Sequence, residues 1–248
     1  SDPRRRGVIG GPDERPRQLP FSLALAPSFR REDFVVGASN GSAWALVERW
    51  PDWPHRVALV VGGEGTGKSH LASIWAEAAG AGVVSAHDLA DRDPVSLVHA
   101  GALVVEDCDR FALDEAALFH LLNAGLSANG FLLLSARVPP SEWTIATPDL
   151  ASRLRAIPPT FIGEPEDELL QRVLTKLFRD RQIAVDPTVV DYLVRRMERS
   201  FRAGLRVVEA LDREALARGR AITRPMAAEV LFREGLGDAD GDDDDPAA

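Results

Sequence analysis

Val57-Ala58-Leu59-Val60-Val61-Gly62-Gly63-Glu64-Gly65-Thr66-Gly67-Lys68-Ser69 joins five consecutive apolar residues to a run that satisfies G-x-x-x-x-G-K-S/T. The apolar run reads as a strand buried on both faces, and His70 to Ala79 behind the loop reads as a helix. Glycines at these spacings let backbone N–H groups turn inward around phosphate oxygens, and the positive end of the following helix faces the same point. Gly63, Gly65, Thr66, Gly67, Lys68, Ser69 and His70 are therefore the candidate nucleotide contacts. Lys68 is placed to pair with β and γ charges and the Ser69 hydroxyl to reach Mg²⁺. The chain has two lysines, Lys68 and Lys176, against 27 arginines, so a lysine here answers a need for a compact ammonium. A glycine-rich strand-to-helix turn without ligand is the alternative.

Outward from this loop, Arg56–Val61, Gly82–Ser85, Ala102–Val105, Phe131–Ser135 and Pro159–Ile162 are short apolar runs separated by helical segments. Strands so spaced predict a parallel sheet of about five strands wrapped by helices on both faces, an α/β core. Ala102-Leu103-Val104-Val105-Glu106-Asp107 ends in two acids. Behind a phosphate loop, such a strand end positions Mg²⁺ and an attacking water. Glu106 takes the metal-facing place and Asp107 that of the catalytic acid. A strand that meets solvent at two charges is the alternative.

After Gly163 the pattern becomes helical. Leu169, Leu170, Val173, Leu174, Leu177 and Phe178 form one stripe, Val189 to Met197 a second, and Leu205, Val208, Leu211 and Leu216 a third; Thr223-Arg224-Pro225 starts a fourth helix. The predicted organisation is a mobile segment 1–17, a short peptide 18–23, an α/β core 24–163, an all-helical lid 164–234 and an acidic tail 235–248. A net charge of −9 without a basic stripe argues against high-affinity duplex binding, since phosphate neutralisation supplies most of that affinity. The single Cys108 excludes internal disulfides and a multi-cysteine zinc site. No apolar run is long enough to cross a membrane, and the chain reads as cytoplasmic.

Several segments together, from about Gln18 to Leu231, resemble the AAA+ ATPases of the bacterial replication initiator DnaA and its regulatory paralogue Hda. Asp33-Phe34-Val35-Val36-Gly37-Ala38-Ser39-Asn40 resembles the N-terminal box that borders the adenine, which makes Val35 and Val36 expected base contacts; an Asx-capped helix behind packing residues accounts for the same segment. Asp149-Leu150-Ala151-Ser152-Arg153-Leu154 resembles box VII, whose arginine reaches a neighbouring subunit's nucleotide, so Arg153 is the expected trans-acting catalytic group. Arg199-Ser200-Phe201-Arg202 resembles the sensor 2 helix, with Arg202 facing the phosphates. Surface arginines are the alternative for both. Gln18-Leu19-Pro20-Phe21-Ser22-Leu23 resembles the peptide by which Hda binds the DNA polymerase III sliding clamp (β subunit), with Gln18, Leu19, Phe21 and Leu23 as anchors; packing on the chain's own core is the alternative.

The resemblance implies an AAA+ P-loop core with a helical lid, ADP or ATP with Mg²⁺ as cofactors, and the initiator DnaA and the clamp as partners. A homo-oligomer is compatible with it. The initiator's helix-turn-helix domain finds no counterpart after the lid, so no sequence-specific DNA binding is expected. Glu106 stands where Asp is usual, and Ala136 in Leu132-Leu133-Leu134-Ser135-Ala136-Arg137 stands where the sensor 1 Asp is usual. Those departures imply slow intrinsic turnover. The first expectation is a regulator that promotes hydrolysis of DnaA-bound ATP on the loaded clamp; the second is a self-standing ATPase, a helicase loader or truncated initiator. A small-molecule kinase fits the lid poorly.

Overall fold

The computed structural model describes residues 29–99, 101–110 and 113–237; the predicted peptide 18–23, the segment 1–17 and the tail from 238 lie outside the described residues. Five strands, β1 (Val57–Val61), β2 (Gly82–Ser85), β3 (Ala102–Glu106), β4 (Phe131–Ala136) and β5 (Pro159–Phe161), form one parallel sheet in the order β2-β3-β4-β1-β5. Every pairing is parallel, with Val57 opposite Leu132 and Leu59 opposite Pro159 on the two sides of β1. The strand limits differ slightly from the sequence reading. Arg56 has φ of 55°, outside the extended region, so β1 starts one residue later.

The core helices are α1 (Gly41–Glu48), which precedes β1, and α2 (Lys68–Ala79), α3 (Pro94–Val98), α4 (Glu115–Ser127) and α5 (Pro148–Arg155) between strands. Val57, Leu59 and Val61 pack with Leu118, Leu121 and Leu122 of α4, while Ala58 and Val60 pack with Leu71, Ile74 and Trp75 of α2. Both faces of β1 are thus covered, which is why its sequence is uniformly apolar rather than alternating. Leu59, Leu134 and Val104 are fully buried, and each such side chain is worth about 1.5–3 kcal/mol relative to exposure.

Four helices form the lid: α6 (Asp167–Asp180), α7 (Pro187–Arg196), α8 (Phe201–Arg218) and α9 (Arg224–Glu234). Asp186 caps α7 through Thr188 N–H, and Ser200 caps α8 through Ala203 N–H. Gly219 and Gly235, both with φ of 60°, end α8 and α9. The stripe expected on α8 needs correction. Leu216 is 67% exposed, and the buried face is Ala203, Gly204, Val207, Val208, Ala210 and Leu211. Leu205 faces the cavity described below.

Polar contacts seat the lid on the core. The Glu166 carboxylate accepts from Ala38 and Ser39 N–H, Arg172 donates to Val36 O, and Phe201 N–H donates to Gly65 O at 3.0 Å. The start of α8 therefore rests directly on the glycine loop. No helix among the described residues is long and apolar enough to cross a membrane.

Candidate nucleotide-binding site

A cavity of about 570 Å³ opens between the glycine loop, the segment 29–40 and the lid helices α6 and α8. That volume lies in the range of small-molecule sites. The loop is shaped by the absence of side chains. A Cβ on Gly62 would lie 2.5 Å from Ile162 O, and one on Gly65 would lie 2.8 Å from Ser200 Cβ. Gly65 and Gly67, with φ of 74° and 100°, also adopt backbone conformations that favour glycine. Thr66 is buried and closes the turn by donating from Oγ1 to Gly63 O. Lys68 Nζ donates to Gly62 O and Gly63 O, each at 2.7 Å, and burial lowers its pKa. An ammonium partly stripped of water and held by neutral carbonyls is primed for anions.

Gly65, Gly67, Lys68, Ser69 and His70 line the cavity; Gly63 and Thr66 shape the turn without lining it. Asp107 reaches the cavity and Glu106 does not. Asp107 has φ of 57°, its N–H donates to Ser135 Oγ, and this turn of the backbone aims its side chain at Lys68's end of the cavity. Glu106, half-buried at the end of β3, has an enclosed Oε1 with no hydrogen-bond partner among the described residues. Cys108 is fully buried and its thiol pKa is pushed up by desolvation, so it stays neutral.

Ser69 and Asp107 both line the cavity, and a hydroxyl with a carboxylate is a donor set that suits a hard cation shared with phosphate oxygens. Among the described residues no group of three or more His, Cys, Asp and Glu side chains is placed to hold a metal ion. A magnesium carried in on phosphates needs only one or two protein ligands.

At the other end of the cavity Phe34, Val35, Val173 and Leu177 supply apolar walls. Val36 is not among the lining residues, and its carbonyl accepts from Arg172. Asn40 is buried, and its amide takes Gly37 N–H and donates to Val35 O. It therefore shapes the segment ahead of α1 instead of capping that helix. Phe34 stacks on Trp44 with centroids 5.1 Å apart, and the His70 ring stands edge-on to Phe34. His70 Nε2 lies 2.9 Å from Arg30 O, which assigns the ring proton to Nε2; burial lowers its pKa.

Arg202 lines the cavity, donating from Nη1 to Glu64 Oε1, and Arg137 Nη2 donates to Glu64 Oε2 at 2.7 Å. Arg153 lies elsewhere. It is exposed on α5, donates to Asn123 Oδ1, and its Cζ sits 5.0 Å from the Phe119 ring centroid. Sequence reasoning missed Glu64, although an acid inside a phosphate loop was a visible oddity. It also left Lys176 unassigned, whose Nζ lies 2.5 Å from Asp33 and Asp180 carboxylates at the apolar end. The scarcity of lysine was the signal.

Residues 167–231 match the family described as Hda, lid domain. Domain III of the Thermotoga maritima replication initiation protein DnaA is similar in fold, with TM-score 0.71 and 17% identity over 84% of this chain and 97% of that one. DnaA from Aquifex aeolicus bound to AMPPCP gives TM-score 0.66 at 19% identity over 86% of this chain and 71% of that one. The Thermotoga maritima RuvB Holliday junction branch migration motor gives 0.57 at 16% identity over 71% and 61%. At such identities the structural likeness is one of fold.

Proposed function

We propose that this chain, whose lid matches the Hda lid-domain family and whose fold is similar to that of DnaA domain III, is an Hda-like, cytoplasmic nucleotide-binding regulator of chromosomal replication initiation. With the DNA-loaded sliding clamp it promotes hydrolysis of ATP bound to the initiator DnaA and so prevents re-initiation. The observation that carries this reading is the division of the arginines. Arg202 and Arg137 stand at the chain's own cavity, while Arg153, exposed on α5, lies against Asn123 and Phe119 of α4, away from the lining.

In its own site the chain holds ADP or ATP. Lys68 and the loop N–H groups bind the phosphates, Phe34 and Val35 border the base, and Ser69 and Asp107 hold Mg²⁺, which neutralises phosphate charge when bound. Glu106 is the nearby acid outside the lining. On the partner, the Arg153 guanidinium donates to two γ-phosphate oxygens as charge develops there, a bidentate role suited to its planar fork. Gln18, Leu19, Phe21 and Leu23 tether the chain to the clamp.

The test is a reconstituted assay with initiator, ATP and clamp loaded on DNA. Hydrolysis of initiator-bound ATP should rise only when this protein and the clamp are both present, and replacement of Gln18 and Leu19 by Ala should remove the effect. Stimulation that ignores the clamp would count against the tether. Asp107 at the cavity favours a second reading, a self-standing ATPase acting as helicase loader or truncated initiator. Steady-state turnover by the isolated protein well above roughly 1 s⁻¹ would support that reading instead.

A further inference from the structure

Glu64 sits at a variable position of a loop whose backbone is built to surround anions, and a carboxylate there opposes that purpose unless cations neutralise it. Two do. Arg137, from the turn that ends β4, donates to Oε2 at 2.7 Å, and Arg202, from the first turn of α8, donates to Oε1. Arg137 first and Arg202 second hold the Glu64 carboxyl below its usual range. One negative group therefore occupies guanidiniums from both core and lid, at the end of the cavity where Lys68 and Asp107 also lie.

Holding the lid down does not require this bridge. Lys176 with Asp33, Arg172 with Val36 O, and Glu166 with the Ala38 and Ser39 N–H groups join lid to core independently. What the bridge does distinctively is occupy arginine donors in the shape a phosphate oxygen pair would take. Glu64, Arg137 and Arg202 are 46%, 37% and 64% exposed, so the pairs exchange readily and are screened by salt.

We propose that Glu64 is a specificity-determining residue that stands in for a terminal phosphate, so that a nucleoside triphosphate has to displace it from Arg137 and Arg202 whereas a diphosphate leaves the bridge in place. This rests on the reading of the cavity as a nucleotide site. Glu64 thus sets a penalty on the third phosphate, and the penalty is electrostatic.

The test compares Glu64→Gln, which keeps shape and removes charge, with the wild-type full chain, using calorimetric titration with ADP and with a non-hydrolysable ATP analogue. The ratio of triphosphate to diphosphate affinity should rise about tenfold at low salt, and less at about 0.5 M salt. In an Arg202→Ala background the same substitution should move the ratio by less than about threefold, since the partner is gone. Should the Gln variant fold poorly, Glu64→Asp, too short to bridge both arginines, should move the ratio in the same direction. Unchanged ratios in variants that still bind both nucleotides would overturn the role of Glu64 alone. Absence of nucleotide binding by the wild type would overturn the site reading itself.

Discussion

Asp109 Oδ2 accepts from the backbone N–H groups of Arg137 and Val138, at 2.7 and 2.8 Å, and so ties the turn after β3 to the turn after β4. The tie fixes the backbone from which Arg137 reaches Glu64. Asp109→Ala leaves two N–H groups without their acceptor and should cost about 2–4 kcal/mol, read from urea denaturation. Asp109→Asn, which keeps one acceptor oxygen, should cost less. Equal stability of Asp109→Ala and wild type would mean that water replaces the carboxylate fully.

Lys68→Ala should abolish nucleotide binding measured by calorimetry while the melting temperature of the ligand-free protein changes little. Among the described residues its ammonium has only the Gly62 and Gly63 carbonyls as hydrogen-bond acceptors, so the folded state depends on it weakly. Comparable nucleotide affinity in the variant would remove the phosphate-loop reading.

His70 provides a pH test. Burial holds its pKa below the usual 6.5, so the folded state prefers the neutral ring that donates from Nε2 to Arg30 O. For a depressed pKa, this contribution is fully present above 6.5 and is lost as pH falls through the folded value. Relative to the non-titrating His70→Gln, the wild type should therefore lose stability as the buffer is acidified below pH 6.5, followed by denaturant midpoints. Parallel pH profiles for the two proteins would show that the ring does not titrate against the fold.

Arg153→Ala should leave nucleotide affinity and melting temperature near wild type, because the side chain is exposed and its partners Asn123 and Phe119 lie outside the cavity. Stimulation of initiator ATPase should fall by about 10³ or more, the range of arginine groups supplied in trans. Normal stimulation by the variant would rule out the trans mechanism.

The parallel sheet was legible because its signals are local. Leu132, Leu133 and Leu134 are apolar in succession since β4 is covered on both faces, and the glycine loop announces the turn that follows β1. The lid was legible where leucine and valine mark the buried face, as on α6 and α7, and misread on α8. There Ala203, Gly204 and Ala210 make the close packing and the large Leu216 points outward, so counting leucines misplaces the face. Which of Glu106 and Asp107 reaches the cavity was not readable from strand alternation, because the left-handed φ at Asp107 breaks the alternation at that residue. The Glu64 bridge was hidden for another reason. Its partners are distant in sequence, and no local period records a contact made by the fold.

Both lysines of the chain, Lys68 and Lys176, line the same cavity. In a protein otherwise basic through arginine, amine-directed acylation finds its only side-chain targets within one pocket. Lys176 is masked by two carboxylates and Lys68 by two carbonyls, with burial lowering the Lys68 pKa toward the reactive free amine. The molecule thus carries a native chemical footprint, in which the degree of labelling at Lys68 becomes an occupancy gauge for whatever anion fills the loop.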